Sequence, residues 1–128
     1  YWGGMADLGV STFWETYVPG ETVETSAAMY GRPFGRSHCH IWGSGPLYLI
    51  PRYYFGVQSV NFGEEFVAEP NLSLLKNCKI TLPLKRGALQ IEIGEKTVFI
   101  RSSEIGGTLK LNGKTYVIGK GEELYVDR

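Results

Sequence analysis

The stretch TLKLNGKTYVI, residues 108 to 118, constrains the fold more than any other part of the chain. Leu109 and Leu111 alternate with polar neighbours, and Lys114 to Ile118 follow an Asn112-Gly113 pair. Asn-Gly supplies the two positive φ values of a tight type I′ turn, whose twist matches that of two paired strands. The segment therefore predicts a β-hairpin. The same alternation recurs upstream, with Leu89, Ile91 and Ile93 on one side and Gln90 and Glu92 on the other. Arg86-Gly87 and Gly94-Glu95-Lys96 read as turns, and Leu124-Tyr125-Val126 as a last strand. From Glu64 onward the pattern predicts about seven short strands with sandwich-like spacing and no useful helical period. The expectation for residues 58 to 128 is an antiparallel β-sandwich.

The composition changes near residue 57. Before it the chain is rich in Trp, Tyr, Gly and small polar residues with little alternation. One main helix is expected from about 44 to 55, opened by Gly43-Ser44-Gly45-Pro46 and closed by Gly56. Pro51 lies inside it, lacks an N–H and clashes with the preceding turn, so a kink or a late start is expected there. Leu47, Tyr48, Leu49, Ile50, Tyr53, Tyr54 and Phe55 make it apolar on most faces, as in a helix packed inside a larger helical assembly. Residues 1 to 8 read as the end of a second helix, and Pro19 to Gly35 as loop. The opening YWGGMADL reads as the interior of a longer protein.

Thirteen basic residues balance thirteen acidic ones, which gives no electrostatic footprint for nucleic acid or an anionic membrane. No apolar run reaches the roughly 18 residues of a spanning helix. Cys39 and Cys78 are two isolated thiols, compatible with one disulfide or with none, and they lack metal-ligand spacing. No phosphate loop or dinucleotide fingerprint is present, so no cofactor is expected.

Glu15 stands out chemically, directly behind Trp14 and between Phe13 and Tyr17. A carboxylate among aromatics is partly desolvated, which makes it a better proton acceptor near neutral pH. Sugars suit such a wall, because C–H faces stack on the rings while hydroxyls reach the acid. The plainer alternatives are that Glu15 caps a turn or pairs with Arg32 or Arg36. His38 and His40 at i, i+2 suggest three roles: a metal site without a third ligand, a substrate or carboxylate contact, or a buried structural histidine. Asp7, Glu21 and Glu24 are weaker candidates. A Ser37-His38-Asp7 triad is conceivable on paper, without the nucleophile-elbow motif that would support it.

YWGGMADLGVSTFWETY, followed by SHCHIWGSGPLYLIPRYYFGV, resembles the C-terminal end of the catalytic domain of bacterial α-L-rhamnosidases. FVAEPNLSLLKNCKITLPLKRGALQIEI is similar to the start of the β-sandwich that follows it in that family. The resemblance implies a mixed α and β chain: residues 1–57 as the end of an (α/α)6 toroid, and 58–128 as the C-terminal β-sandwich. It implies an inverting glycosidase, in which a general acid and a general base lie about 6.5–9.5 Å apart across the sugar. By resemblance Glu15 is the general base, and His40 and Trp14 line the substrate pocket. The general acid belongs to an earlier part of the toroid. The chain departs from the family's pattern in Thr16-Tyr17-Val18-Pro19 and in His38, where an apolar residue is common. The implied partners are a rhamnose-containing glycan and the N-terminal part of the catalytic domain, with self-association through uncovered apolar faces. Neither a nucleic acid nor a membrane is expected as a partner. A non-catalytic carbohydrate-binding or interaction module is the alternative, and another glycosidase built on such a toroid a third.

Overall fold

A computed structural model describes residues 1–28 and 35–128. The chain divides into two compact units, Tyr1–Tyr48 and Leu49–Arg128.

In the second unit the strands obey the period of two almost residue by residue. Eight strands form: β1 (Gln58–Val60), β2 (Glu65–Ala68), β3 (Cys78–Pro83), β4 (Ala88–Ile93), β5 (Thr97–Ser102), β6 (Gly106–Leu111), β7 (Lys114–Ile118) and β8 (Glu123–Asp127). Seven of them follow Glu64, as the alternation predicted. They make two four-stranded sheets, ordered β1-β2-β6-β7 and β3-β4-β5-β8. Phe66, Ala68, Leu109, Leu111 and Ile118 from the first sheet share one buried cluster with Leu89, Ile91, Ile93, Val98, Ile100 and Val126 from the second. Burying one such side chain contributes about 1.5–3 kcal/mol. The exposed Lys79–Glu92 ion pair, at 3.8 Å, contributes less than about 1 kcal/mol. The core therefore decides the fold.

The arrangement is sandwich-like, and one pairing departs from the antiparallel expectation. β2 and β6 run parallel, Glu65 to Ala68 beside Gly106 to Leu109. Parallel neighbours need a long crossover rather than a tight turn. Here the crossover is the excursion through β3, β4 and β5 in the other sheet. Alternation along each strand gives no sign of strand direction. The β6–β7 hairpin turns at Asn112 (φ 50°) and Gly113 (φ 74°), the two positive φ values that its sequence requires.

The expected main helix proves to be three kinds of helix in succession. A 3₁₀ turn (Ile41–Ser44) leads into α3 (Gly45–Leu49), and a π-helical turn (Ile50–Tyr54) completes it. Pro51 accounts for the widening, since it offers no N–H to the i−4 carbonyl and its ring crowds that carbonyl. The Phe55 N–H instead reaches the Ile50 carbonyl at 3.1 Å. Gly56 then reverses the chain with φ 64°, as expected of a helix C-terminus. In the first unit, α1 (Trp2–Asp7) matches the short helix expected near the start. The expected loop from Pro19 to Gly35 contains one turn of helix, α2 (Val23–Ser26). Thr22 and Thr25 account for it, each side chain bonding the other's backbone N–H in a reciprocal cap. Residues 29–34 of that expected loop lie outside the described residues.

Two glycines separate conformational strain from steric conflict. A methyl group on Gly113 would meet nothing within 4 Å, whereas one on Gly56 would lie 2.0 Å from the Glu69 carbonyl oxygen. Gly113→Ala should therefore cost only the left-handed penalty, about 1–2 kcal/mol. Gly56→Ala adds a backbone displacement and should cost about 1–3 kcal/mol more. Urea unfolding followed by the sheet signal in circular dichroism checks this, and equal midpoints for the two variants would contradict it.

Candidate functional site

Among its described residues the first unit has few buried apolar side chains: Met5, Trp14 and Ala27 are below a tenth exposed. Backbone hydrogen bonds carry much of its order. The segment around Phe13 and Glu15 lies beside the segment from Ser37 to His40, joined by Glu15 N–H to the Ser37 carbonyl (2.9 Å) and His40 N–H to the Phe13 carbonyl (2.7 Å). The Thr12 hydroxyl donates to the His38 carbonyl. Gly43 lets the following 3₁₀ turn approach, because a Cβ there would lie 2.7 Å from the Trp14 carbonyl oxygen. The Trp2 indole N–H then donates to the Gly43 carbonyl at 2.8 Å.

Glu15 is exposed, not enclosed by its aromatic neighbours. Its carboxylate Oε2 accepts the Ser37 N–H at 2.9 Å, so Glu15 and Ser37 are bonded twice, once through the backbone and once through the side chain. Of the plainer alternatives, a cap on a backbone N–H is therefore present. Arg36 instead holds Glu21 at 2.6 Å, and Arg32 lies outside the described residues. The Tyr1 hydroxyl lies 3.0 Å from the Trp14 carbonyl and 2.7 Å from that of Glu15. Desolvation, and secondarily the Glu15 charge, push the Tyr1 phenol above its ordinary value.

Trp14 is buried at 2% exposure, and the His38 imidazole stacks on it at 4.3 Å between ring centres, tilted 14°. His38 Nε2 pairs with the Ser26 hydroxyl at 2.8 Å, and that hydroxyl also donates to the Val23 carbonyl at 3.0 Å. His38 is thus a packed structural histidine. The Ser37-His38-Asp7 triad is not assembled, since the Ser37 hydroxyl turns onto the Cys39 carbonyl at 3.0 Å and His38 bonds Ser26. His40 is half-buried, and its imidazole has no hydrogen-bond partner among the described residues. No group of three His, Cys, Asp or Glu side chains is placed to hold a metal among those residues. Cys39 and Cys78 are free thiols. Among the described residues no helix is long and apolar enough to cross a membrane.

The structure thus joins the W-E and S-H-C-H stretches that the sequence singled out. Sequence reasoning missed Ser26, which is 1% exposed, and the Tyr1 hydroxyl. The Thr22-Val23-Glu24-Thr25 cap is the one signal that could have placed Ser26 on a helical turn.

No family model matches the chain, and no curated protein does. Among solved structures it resembles one described as "Putative kojibiose phosphorylase from human microbiome", at 16% identity and a TM-score of 0.42. The likeness covers 62% of this chain and 10% of that one, so the chain spans about a tenth of that protein's length. A likeness at that score carries no argument about activity.

Ser26→Ala removes the partner of a stacked imidazole and should destabilise the first unit by about 1–3 kcal/mol. All three tryptophans, Trp2, Trp14 and Trp42, lie in that unit, so tryptophan fluorescence reports it separately. An unchanged fluorescence unfolding midpoint would contradict the role assigned to Ser26.

Proposed function

We propose that this chain is the C-terminal part of an inverting glycoside hydrolase of the α-L-rhamnosidase kind. In this reading residues 1–57 close an (α/α)6 catalytic toroid and 58–128 form the sandwich attached to it. The observation that carries the reading is the pair of hydrogen bonds between Glu15 and Ser37. It fixes an accessible carboxylate at the junction of the two stretches on which the resemblance rests.

Glu15 is the general base. Its Oε2 is oriented by the Ser37 N–H, while Oε1 has no hydrogen-bond partner among the described residues and is open to water. A carboxylate held on one oxygen and free on the other is suited to remove a proton from a water aligned with the anomeric carbon. His40, with its imidazole uncommitted, bonds a sugar hydroxyl. Trp14 serves the pocket from behind, holding the Glu15 backbone in place, since its indole is buried against His38. The general acid comes from the part of the enzyme that precedes this chain. A rhamnose-containing glycoside is the substrate.

In the intact enzyme, Glu15→Gln preserves shape but removes the basic lone pair, and should lower kcat by about 10²–10⁴ with little change in KM. His40→Ala should raise KM and lower kcat together, because a sugar hydrogen bond acts in both ground and transition states. The 128-residue chain alone should not hydrolyse an aryl α-L-rhamnoside. Turnover by the isolated chain, or a Glu15→Gln enzyme as fast as wild type, would reject the assignment. Saccharide binding by the chain, together with an unimpaired Glu15→Gln enzyme, would favour a binding module instead.

The reading also accounts for exposed apolar side chains in both units. In the first, Ile41, Trp42 and Leu47 are 81%, 87% and 67% exposed, and in the second Leu49, Ile50 and Tyr54 are each over two-fifths exposed. Helices of the missing toroid would cover them. Without those helices the chain should self-associate. Sedimentation velocity over a concentration series should show dimers or larger species that weaken with Trp42→Ser and Leu47→Ser. A concentration-independent monomer would count against it.

A further inference from the structure

The outward face of the β3-β4-β5-β8 sheet carries a row of four residues set directly opposite one another. Lys79 faces Glu92, Glu92 faces Phe99, and Phe99 faces Tyr125, one from each strand. We propose that this row is a binding surface for neutral glycans, centred on the Phe99–Tyr125 pair and separate from Glu15. The proposal does not depend on the hydrolase reading.

Cross-strand aromatic pairs commonly serve only to stabilise a sheet. That role alone leaves two observations unexplained. Tyr125 is 67% exposed on the edge strand β8, with its ring centre 4.8 Å from that of Phe99 and tilted by 45°. Beside the pair lies an open depression of about 330 Å³, a size suited to a small ligand, lined by Asn77, Lys79, Glu92, Thr97, Phe99 and Tyr125. The rings provide an amphipathic surface on which the C–H face of a sugar ring can stack. Around them stand donors and acceptors in the mixture that sugar hydroxyls require. Lys79 donates, Glu92 accepts, and Thr97 and Asn77 do both. The Gln90 amide holds Glu92 Oε1 at 2.7 Å, which fixes one acceptor beside the stacking surface.

Charge selects the occupant. Lys79 offsets Glu92 at 3.8 Å, so the depression holds no net attraction for an anion. Asp127 lies opposite Thr97, and Glu123 opposite Arg101, on the same outward face. A nucleic acid would also stack on the rings, but its phosphates would meet these carboxylates without the basic surplus that nucleic-acid binding needs. An apolar peptide would leave the polar rim unpaired. A neutral saccharide satisfies both the rings and the rim.

The test is an amide-shift titration of the ¹⁵N-labelled 128-residue chain with L-rhamnose, D-glucose, maltotriose and chitotriose, and with a short oligothymidine. At least one neutral saccharide should give saturable shifts confined to residues near 77–79, 92–99 and 123–127. Tyr125→Ala should weaken that binding by roughly tenfold or more, Tyr125→Trp should retain it, and Glu15→Gln should leave it unchanged. Glu92→Gln, an exposed change that leaves the core intact, should also weaken it and serves if Tyr125→Ala disturbs the sheet. Absence of saturable shifts with all four saccharides would overturn the proposal. So would shifts indifferent to both Tyr125→Ala and Glu92→Gln, or stronger binding of the oligothymidine.

Discussion

The pleat of a β-strand sends successive side chains to opposite faces, and most of the second unit depends on that constraint. Once Leu89, Ile91 and Ile93 are committed to the core, Gln90 and Glu92 must face outward. Register then fixes their neighbours. Because Ile91 pairs with Ile80 and Ile100, the next outward row must join Glu92 to Lys79 and Phe99. The outward row is thus a consequence of how the inner faces meet. A slip of one residue would turn the aromatic face inward and the isoleucines into water. The core fixes the outer surface.

The first unit is organised by a different means. With few large side chains buried, it depends on backbone pairing between the Phe13–Glu15 and Ser37–His40 segments and on Trp14 packed beneath His38. Hydrogen bonds contribute little net stability each, about 0.5–1.5 kcal/mol, but leaving a buried partner unpaired costs more. The Ser26 hydroxyl illustrates the asymmetry, since it satisfies both the Val23 carbonyl and the imbedded edge of His38. Such a network specifies positions closely. It holds Glu15 by both its N–H and its carboxylate, which a purely apolar contact would not do.

The strands were legible in the sequence because their signal is local. Leu89 to Ile93 and the Asn112-Gly113 turn each declare themselves within a few residues. The parallel pairing of β2 with β6 was not legible, because it depends on a crossover of three strands rather than on any residue in Glu65–Ala68 or Gly106–Leu109. Pro51 announced a disturbance of the helix but not its form, since a kink, a late start and a π-helical turn all answer the same missing N–H. In the first unit the sequence identified Trp14, Glu15 and His38 but misjudged the setting of Glu15. Proximity along the chain to Phe13, Trp14 and Tyr17 suggested an enclosed carboxylate. The Trp14 side chain is directed into the unit, leaving Glu15 exposed.

The two proposed sites place opposite demands on the protein. A general base works only if its carboxylate is oriented to within a fraction of an ångström of its water, so small losses of order near Ser37 are expensive in rate. A stacking surface tolerates more, since its binding comes from area and an aromatic ring presents the same face to many sugar rings. The supports match these demands. Glu15 is fixed by two hydrogen bonds to one residue, whereas the Tyr125 ring lies beside Phe99 and stands largely in solvent. A change that loosens the first unit would therefore abolish the chemistry proposed for Glu15 before it impaired the stacking proposed for Tyr125. The division of the chain into separate compact units would let the two proposed functions fail independently.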